Sequence, residues 1–408
     1  MKIASAKEFP LQLTQSHLPS IRRLSLSGVN LKWTSWPLPG LTSLSLANVT
    51  HSRGDVHTDV DGGELDALLD ALEACISLET FEYEKSLPSE SDPPIGMNGL
   101  PDKRVVALPS IRKFSVDTVS VGDAAVLAHV TLPRDAVVEG QVHKLDFTPS
   151  ANEPVLAAVL PSNAASLPVL THARKVTVWL TDRALSFVAD ENLQFLFTTQ
   201  PEQPEDRIDP YPALTMHFHT LGTQDRGEDM FRSAIRELAN IFPPCLDSLI
   251  IKGPIHLVDT ESWTRVLAAF PLLENFSLYS SLDDFKGFVK TFKPKEHATP
   301  CPRLRTLRLV AECSRAGRAE PDSDDAVTAH VAMLHELRGI LQERCEADSR
   351  LAYLHVDLTQ CVDCIAESTS APGSEDSESE SAPDPLLAAL REIWPELNSV
   401  VEALYINY

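Results

Sequence analysis

The sequence predicts an α/β fold of stacked repeats, with a parallel sheet on one side and helices on the other. Three observations carry this. Leu18–Leu31 (LPSIRRLSLSGVNL) and Leu38–Val49 (LPGLTSLSLANV) share the pattern Φ-x-x-L-x-L-x-x-V, where Φ is a large apolar residue. The apolar positions are Ile21, Leu24, Leu26 and Val29, then Leu41, Leu44, Leu46 and Val49. Leucines two apart share one side of an extended chain, so each core is a strand with one buried face. A helical period then alternates with the strand period. Glu64–Ala74 (ELDALLDALEA) places Leu65, Leu68, Leu69 and Leu72 on one side and leads directly into the next core, Leu78–Tyr83 (LETFEY). Finally, the core keeps returning. Its central residues are Leu24, Leu44, Phe81, Phe114, Leu145, Val178, Met216, Leu249, Phe276, Leu307, Leu354 and Leu404. One such unit cannot bury its own face, so it needs copies beside it.

These spacings run from 20 to 50 residues. Leucine-rich repeats usually take about 20–29, so the expectation is a long, irregular leucine-rich-repeat solenoid. It would be a horseshoe with a parallel concave sheet and helices on the convex side. In order, residues 1–17 are a lead-in that caps the first strand edge, and residues 18–362 are the repeats. His51–Gly63 and Ser86–Arg104 are polar loops. Leu108–Val119 (LPSIRKFSVDTV) nearly reprints the first unit, with Ile111, Phe114 and Val116 inward, and Val121–Val130 is its helix. Weaker strands follow at 142–147 (VHKLDF), His172–Leu180 and Leu214–Thr220, the last after a Pro- and acid-rich connector at Thr198–Pro212.

The second half repeats the grammar. The helix Asp229–Ile241 stops at Pro243-Pro244 before the strand Leu246–Gly253, and the helix Ser262–Phe270 precedes the strand Leu272–Leu278. Cys301–Val310 is a strong strand, and the long helix Ala326–Glu346 leads to Leu351–Leu358. Residues 363–384 form an acidic low-complexity loop expected to be disordered, because Glu367–Asp384 (ESTSAPGSEDSESESAPD) has too little apolar surface to offset ordering entropy. Residues 385–408 supply the last helix and strand.

Composition narrows the function classes. The 408-residue chain is 43% apolar, ample for a large core, and its net charge of −23 disfavours nonspecific contact with nucleic acid or anionic membrane. Seven scattered cysteines suit reduced thiols rather than a disulfide framework. The N-terminus MKIASAKEFPLQL lacks a signal-peptide apolar stretch, so the expected location is cytoplasmic or nuclear.

The residues LPSIRRLSLSGVNLKW, LDALLDALEACISLETF and RVVALPSIRKFSV resemble the leucine-rich region of basidiomycete fungal F-box proteins. The resemblance implies repeats that hold a protein substrate. In that family an N-terminal F-box module docks on a Skp-type adaptor of a cullin ubiquitin ligase. Here the first repeat starts near residue 18 with no helical module before it, a departure that leaves two readings, an N-terminally truncated product or a repeat-only relative, and the alternative function is a stand-alone repeat protein unconnected to ubiquitin.

Signals for chemistry are sparse. Cys361-x-x-Cys364 with His355 nearby, and His217-x-His219 on one strand face, have metal-compatible spacing, but neither supplies a full ligand set. Phosphate-loop, dinucleotide, nucleophile-elbow and zincin motifs do not occur. The expectation is therefore no catalytic residue, no cofactor and no metal. What the pattern offers is a surface, because residues between the inward leucines face outward. Early strands present Arg23, Ser25 and Ser27, then Ser43, Ser45 and Ala47. Later strands present Trp179, His217, His219, Ile250, Lys252, Asn275, Tyr279, Arg308, Tyr353, His355 and Tyr405, a set rich in the side chains that anchor protein interfaces.

Overall fold

The computed structural model describes residues 2–4, 20–31, 38–51, 63–85, 104–118, 124–143, 154–161, 163–180, 184–190, 214–219, 224–294, 299–311, 323–358 and 385–407. Its strands are β1 (Lys2–Ala4), β2 (Arg23–Ser27), β3 (Asn30–Leu31), β4 (Ser43–Ala47), β5 (Thr50–His51), β6 (Thr80–Lys85), β7 (Val106–Ala107), β8 (Lys113–Thr118) and β9 (Val130–Thr131). They continue as β10 (Val137–Val142), β11 (Lys175–Leu180), β12 (Ala184–Asp190), β13 (Leu214–His219), β14 (Ser248–Lys252), β15 (Asn275–Ser280), β16 (Thr306–Ala311), β17 (Leu351–Asp357) and β18 (Val401–Asn407). The α-helices are α1 (Gly63–Glu73), α2 (Pro168–His172), α3 (Gln224–Ile241), α4 (Thr260–Ala269), α5 (Leu282–Val289), α6 (Ser323–Glu346) and α7 (Pro385–Val400). The architecture is mixed α/β with mostly parallel strands. It divides into two compact units, Met1–Ala173 with Leu180–Pro243 and Arg174–Trp179 with Pro244–Tyr408.

In the first unit the strands lie in the order β1-β2-β4-β6-β8-β10-β13-β12. The Φ-x-x-L-x-L pattern becomes two inward rows. Leu24, Leu44, Phe81, Phe114, Val138 and Leu214 are in register, and beside them Leu26, Leu46, Tyr83, Val116, Gly140 and Met216. The Φ residue closes a turn before each strand. Leu41 N–H donates to Leu38 O at 3.0 Å, Leu78 to Cys75 O at 3.0 Å and Ile111 to Leu108 O at 3.3 Å. The carbonyl just before one strand then accepts two amides of the next: Arg22 O takes Thr42 N at 2.8 Å and Ser43 N at 3.0 Å. After β2 and β4 the chain turns at Gly28 (φ 62) and Asn48 (φ 50), a left-handed conformation that Gly and Asn tolerate, and Val29 and Val49 are buried just beyond.

Four features depart from the sequence reading. The strand expected at 142–147 is Val137–Val142, and Leu145 lies outside the described residues. Its signature is hidden because Gly140 fills an inward position: a Cβ there would collide with the Sδ of Met216, so the neighbouring methionine occupies the space. In β11 the residue aligned with Leu249 is Val176, so Val178 is one inward position further along. The helix expected over Val121–Val130 is a 3-10 turn at Ala125–His129 followed by β9. Lastly, β12 was not anticipated. It runs antiparallel to β13, which sits between β10 and β12. A period-two pattern sets which face is buried, not which strand is the neighbour.

In the second unit β11-β14-β15-β16-β17-β18 are parallel throughout. Val176, Leu249, Phe276, Leu307, Leu354 and Leu404 form one inward row, buried as far as Leu354 and half-covered at Leu404. The helices cover this row. Trp263 of α4 meets the ring of Phe288 edge-on at 4.9 Å, and Phe276 of β15 lies 5.6 Å from Phe288. Asp259 caps α4, its carboxylate accepting from Ser262 N at 2.7 Å. The long helix α6 ends on a buried guanidinium. Arg344 donates to Pro300 O at 2.6 Å and Cys301 O at 3.0 Å, holding the corner before β16 where Cys301 takes a φ of 44. Among the described residues no helix is long and apolar enough to cross a membrane.

Candidate functional site

Because helices cover one side of the second unit's strands, the alternate residues of those strands are left on the other. In the second unit they form three cross-strand rows. Lys175, Ser248, Asn275, Thr306, Tyr353 and Ala403 make the first. Thr177, Ile250, Ser277, Arg308, His355 and Tyr405 make the middle one, and Trp179, Lys252, Tyr279, Val310, Asp357 and Asn407 the third. Nine of the eleven expected surface residues are thus on one sheet face: Trp179, Ile250, Lys252, Asn275, Tyr279, Arg308, Tyr353, His355 and Tyr405. Tyr353 and Tyr405 are 49% and 55% exposed, high values for aromatic rings.

Arg308 organises the middle of this face. Its guanidinium carbon lies 5.5 Å from the centre of the Tyr279 ring, a cation–π contact between adjacent strands. Among the described residues its buried Nε has no hydrogen-bond partner. On the next strand, the His355 ring meets the edge of Tyr405 at 6.5 Å, and Asn407 Nδ2 donates to His355 Nε2 at 3.1 Å. Accepting there leaves the imidazole proton on Nδ1. Burial, and then the positive charge of Arg308, pull the His355 imidazole below its usual value against the opposing pull of Asp357. Asp357 is buried and receives Asn407 Nδ2 at 3.5 Å. Asp357 and Asn407 escaped the sequence reading, although continuing the alternation by two residues past His355 and Tyr405 finds both.

His217 and His219 belong to the first unit. His217 Nδ1 lies 2.8 Å from the Oγ of Ser186, a partner hidden until β12 is recognised. The side chain of His219 lies outside the described residues, as do Cys361 and Cys364. The open face of the first unit carries Arg23, Ser25 and Ser27, Ser43, Ser45 and Ala47, and then Glu82, Glu84, Lys113, Asp117 and Glu139. Lys113 pairs with Glu139 at 3.0 Å, and Asp117 with His143 at 2.7 Å. Among the described residues no group of three or more His, Cys, Asp or Glu side chains is placed to hold a metal ion. A depression of about 280 Å³ at the strand-entry end of the second unit interleaves Arg303, Arg305 and Arg350 with Glu274 and Asp348, so it offers a small ligand no single charge.

No protein-family model matches the chain, and no curated protein matches it.

Proposed function

We propose that this protein is a non-enzymatic leucine-rich-repeat solenoid, a horseshoe whose concave sheet face binds a protein partner. The observation that supports this best is the second unit's open face, where Trp179, Lys252, Tyr279, Arg308, His355, Tyr353 and Tyr405 stand on six parallel strands in continuous register. Tyr, Trp and Arg supply most of the large truncation effects at protein interfaces. Strands hold such side chains at fixed spacing, so little ordering entropy remains to be lost on binding. The resemblance to F-box repeat regions extends the proposal: the partner is a substrate presented to a cullin ubiquitin ligase.

The test is affinity purification of the tagged chain from its own cells, with mass spectrometry of co-purifying proteins, run beside Tyr279→Ala. A partner enriched on the unaltered chain and depleted at least tenfold on the variant supports the scaffold reading. A Skp-type adaptor and cullin in the same eluate support the ligase reading, and their absence beside one abundant partner favours the stand-alone alternative. Identical eluates from both chains would remove the face from consideration.

A further inference from the structure

We infer that the open face of the second unit takes an acidic segment of its partner protein, with a carboxylate seated against Arg308. This rests on the binding reading above and adds the chemistry of what is bound. The argument is one of charge. The chain as a whole carries 58 acidic and 35 basic side chains. On the three rows of this face the bias inverts: Lys175, Lys252 and Arg308 stand against the single carboxylate of Asp357. That carboxylate is buried and accepts from Asn407 Nδ2 at 3.5 Å.

Arg308 is the strongest single indicator. Among the described residues it has no carboxylate partner, in a chain where Arg104, Arg174, Arg232, Arg265 and Arg338 each have one. The ring of Tyr279 fixes one side of the guanidinium. A planar donor fork held this way suits a carboxylate approaching from solvent. Its row neighbours are Ser277 and His355, with the rings of Tyr353 and Tyr405 beyond. Acidic residues interleaved with apolar or aromatic ones would match that alternation of cation and ring.

The test uses the full chain and three fluorescein-labelled synthetic peptides of equal length: alternating Glu and Tyr, and the same with Gln or Lys in place of Glu. The Glu peptide is expected to bind most tightly, with affinity that falls as salt rises. Arg308→Gln should weaken it about tenfold or more, the loss of one charge-assisted hydrogen bond. Arg308→Lys keeps the charge but not the fork and should lose less, which separates a recognition effect from misfolding. Lys113→Gln, on the other unit, should change nothing. Equal or tighter binding of the Gln or Lys peptide, or an unchanged Arg308→Gln, overturns the inference. A photo-reactive residue at Tyr405 separates the two levels. A basic partner trapped there would overturn the acidic occupant and keep the scaffold, whereas no adduct of any kind would count against the scaffold itself.

Discussion

Replacing Arg344 with Met is the sharpest test of how the second unit is held together. Arg344 is 1% exposed, and its two terminal nitrogens donate to Pro300 O at 2.6 Å and Cys301 O at 3.0 Å. Burial lowers its basicity, opposed by the electrostatic pull of Cys301. Methionine keeps most of the aliphatic volume and supplies no donor. Pro300 O then loses its donor at about 1–3 kcal/mol, while Cys301 O loses one of two and keeps the amide of Leu304 at 3.0 Å. Removing a desolvated charge returns part of that, since buried charges are costly to hold. The expected net loss is about 1–2 kcal/mol, and Arg344→Ala should lose about 3 kcal/mol because a cavity is added. Urea denaturation followed by tryptophan fluorescence measures both, and hydrogen exchange over residues 301–311 should rise in Arg344→Met before the rest of the unit responds. Arg344→Met within about 0.5 kcal/mol of the unaltered chain, with Arg344→Ala strongly destabilised, would show that the residue acts by volume and refute the carbonyl argument.

Other expectations follow from the same geometry. Gly140→Ala should cost about 1–3 kcal/mol by forcing Met216 aside, and Gly140→Ala with Met216→Val should recover most of it; additive losses in that double-mutant cycle would disprove the close packing. Folding lowers the affinity of His355 for its proton, so its contribution is full above the unfolded value near pH 6.5 and is lost as pH falls through the folded value. The melting temperature of the second unit should therefore fall more between about pH 7.5 and about pH 5.5 in the unaltered chain than in His355→Gln, and equal falls would exclude His355 as the cause. Glu237 behaves oppositely. Its buried carboxylate accepts from Val155 N at 2.6 Å and Ala157 N at 2.7 Å, yet burial outweighs these bonds and raises its protonation range. Its stabilising contribution is full at acid pH and lost as pH rises through that range, so Glu237→Gln should flatten the pH profile of the first unit between about pH 4 and 7. An unchanged profile would contradict this.

The legible part of the fold was the part written in leucine. Wherever Φ-x-x-L-x-L survives intact, as at Leu24, Leu44, Phe81, Phe114, Leu249, Phe276, Leu307 and Leu354, strand position and inward face were both readable. It failed where a neighbour changed the requirement at an inward position. Gly140 is apolar in effect only because Met216 fills its space, so the signature vanished and the strand was placed five residues late. The antiparallel β12 carries no repeat signal and entered only with the tertiary structure. Of the candidate site, alternation named Arg308, His355, Tyr279 and Tyr405. It could not show that Arg308 lies against Tyr279, or that Asn407 reaches His355, because those contacts depend on inter-strand register.

The central claim is that the open sheet face of the second unit is where a partner binds. The most direct measurement is site-specific photo-crosslinking in extracts of the source cells, with the reactive group at Tyr405, at Tyr353, and at Ile76, an exposed apolar residue of the first unit that is not on a sheet face. The account predicts one shared protein adduct from Tyr405 and Tyr353 and none of that mass from Ile76. The same adduct from all three positions, or from Ile76 alone, would contradict it.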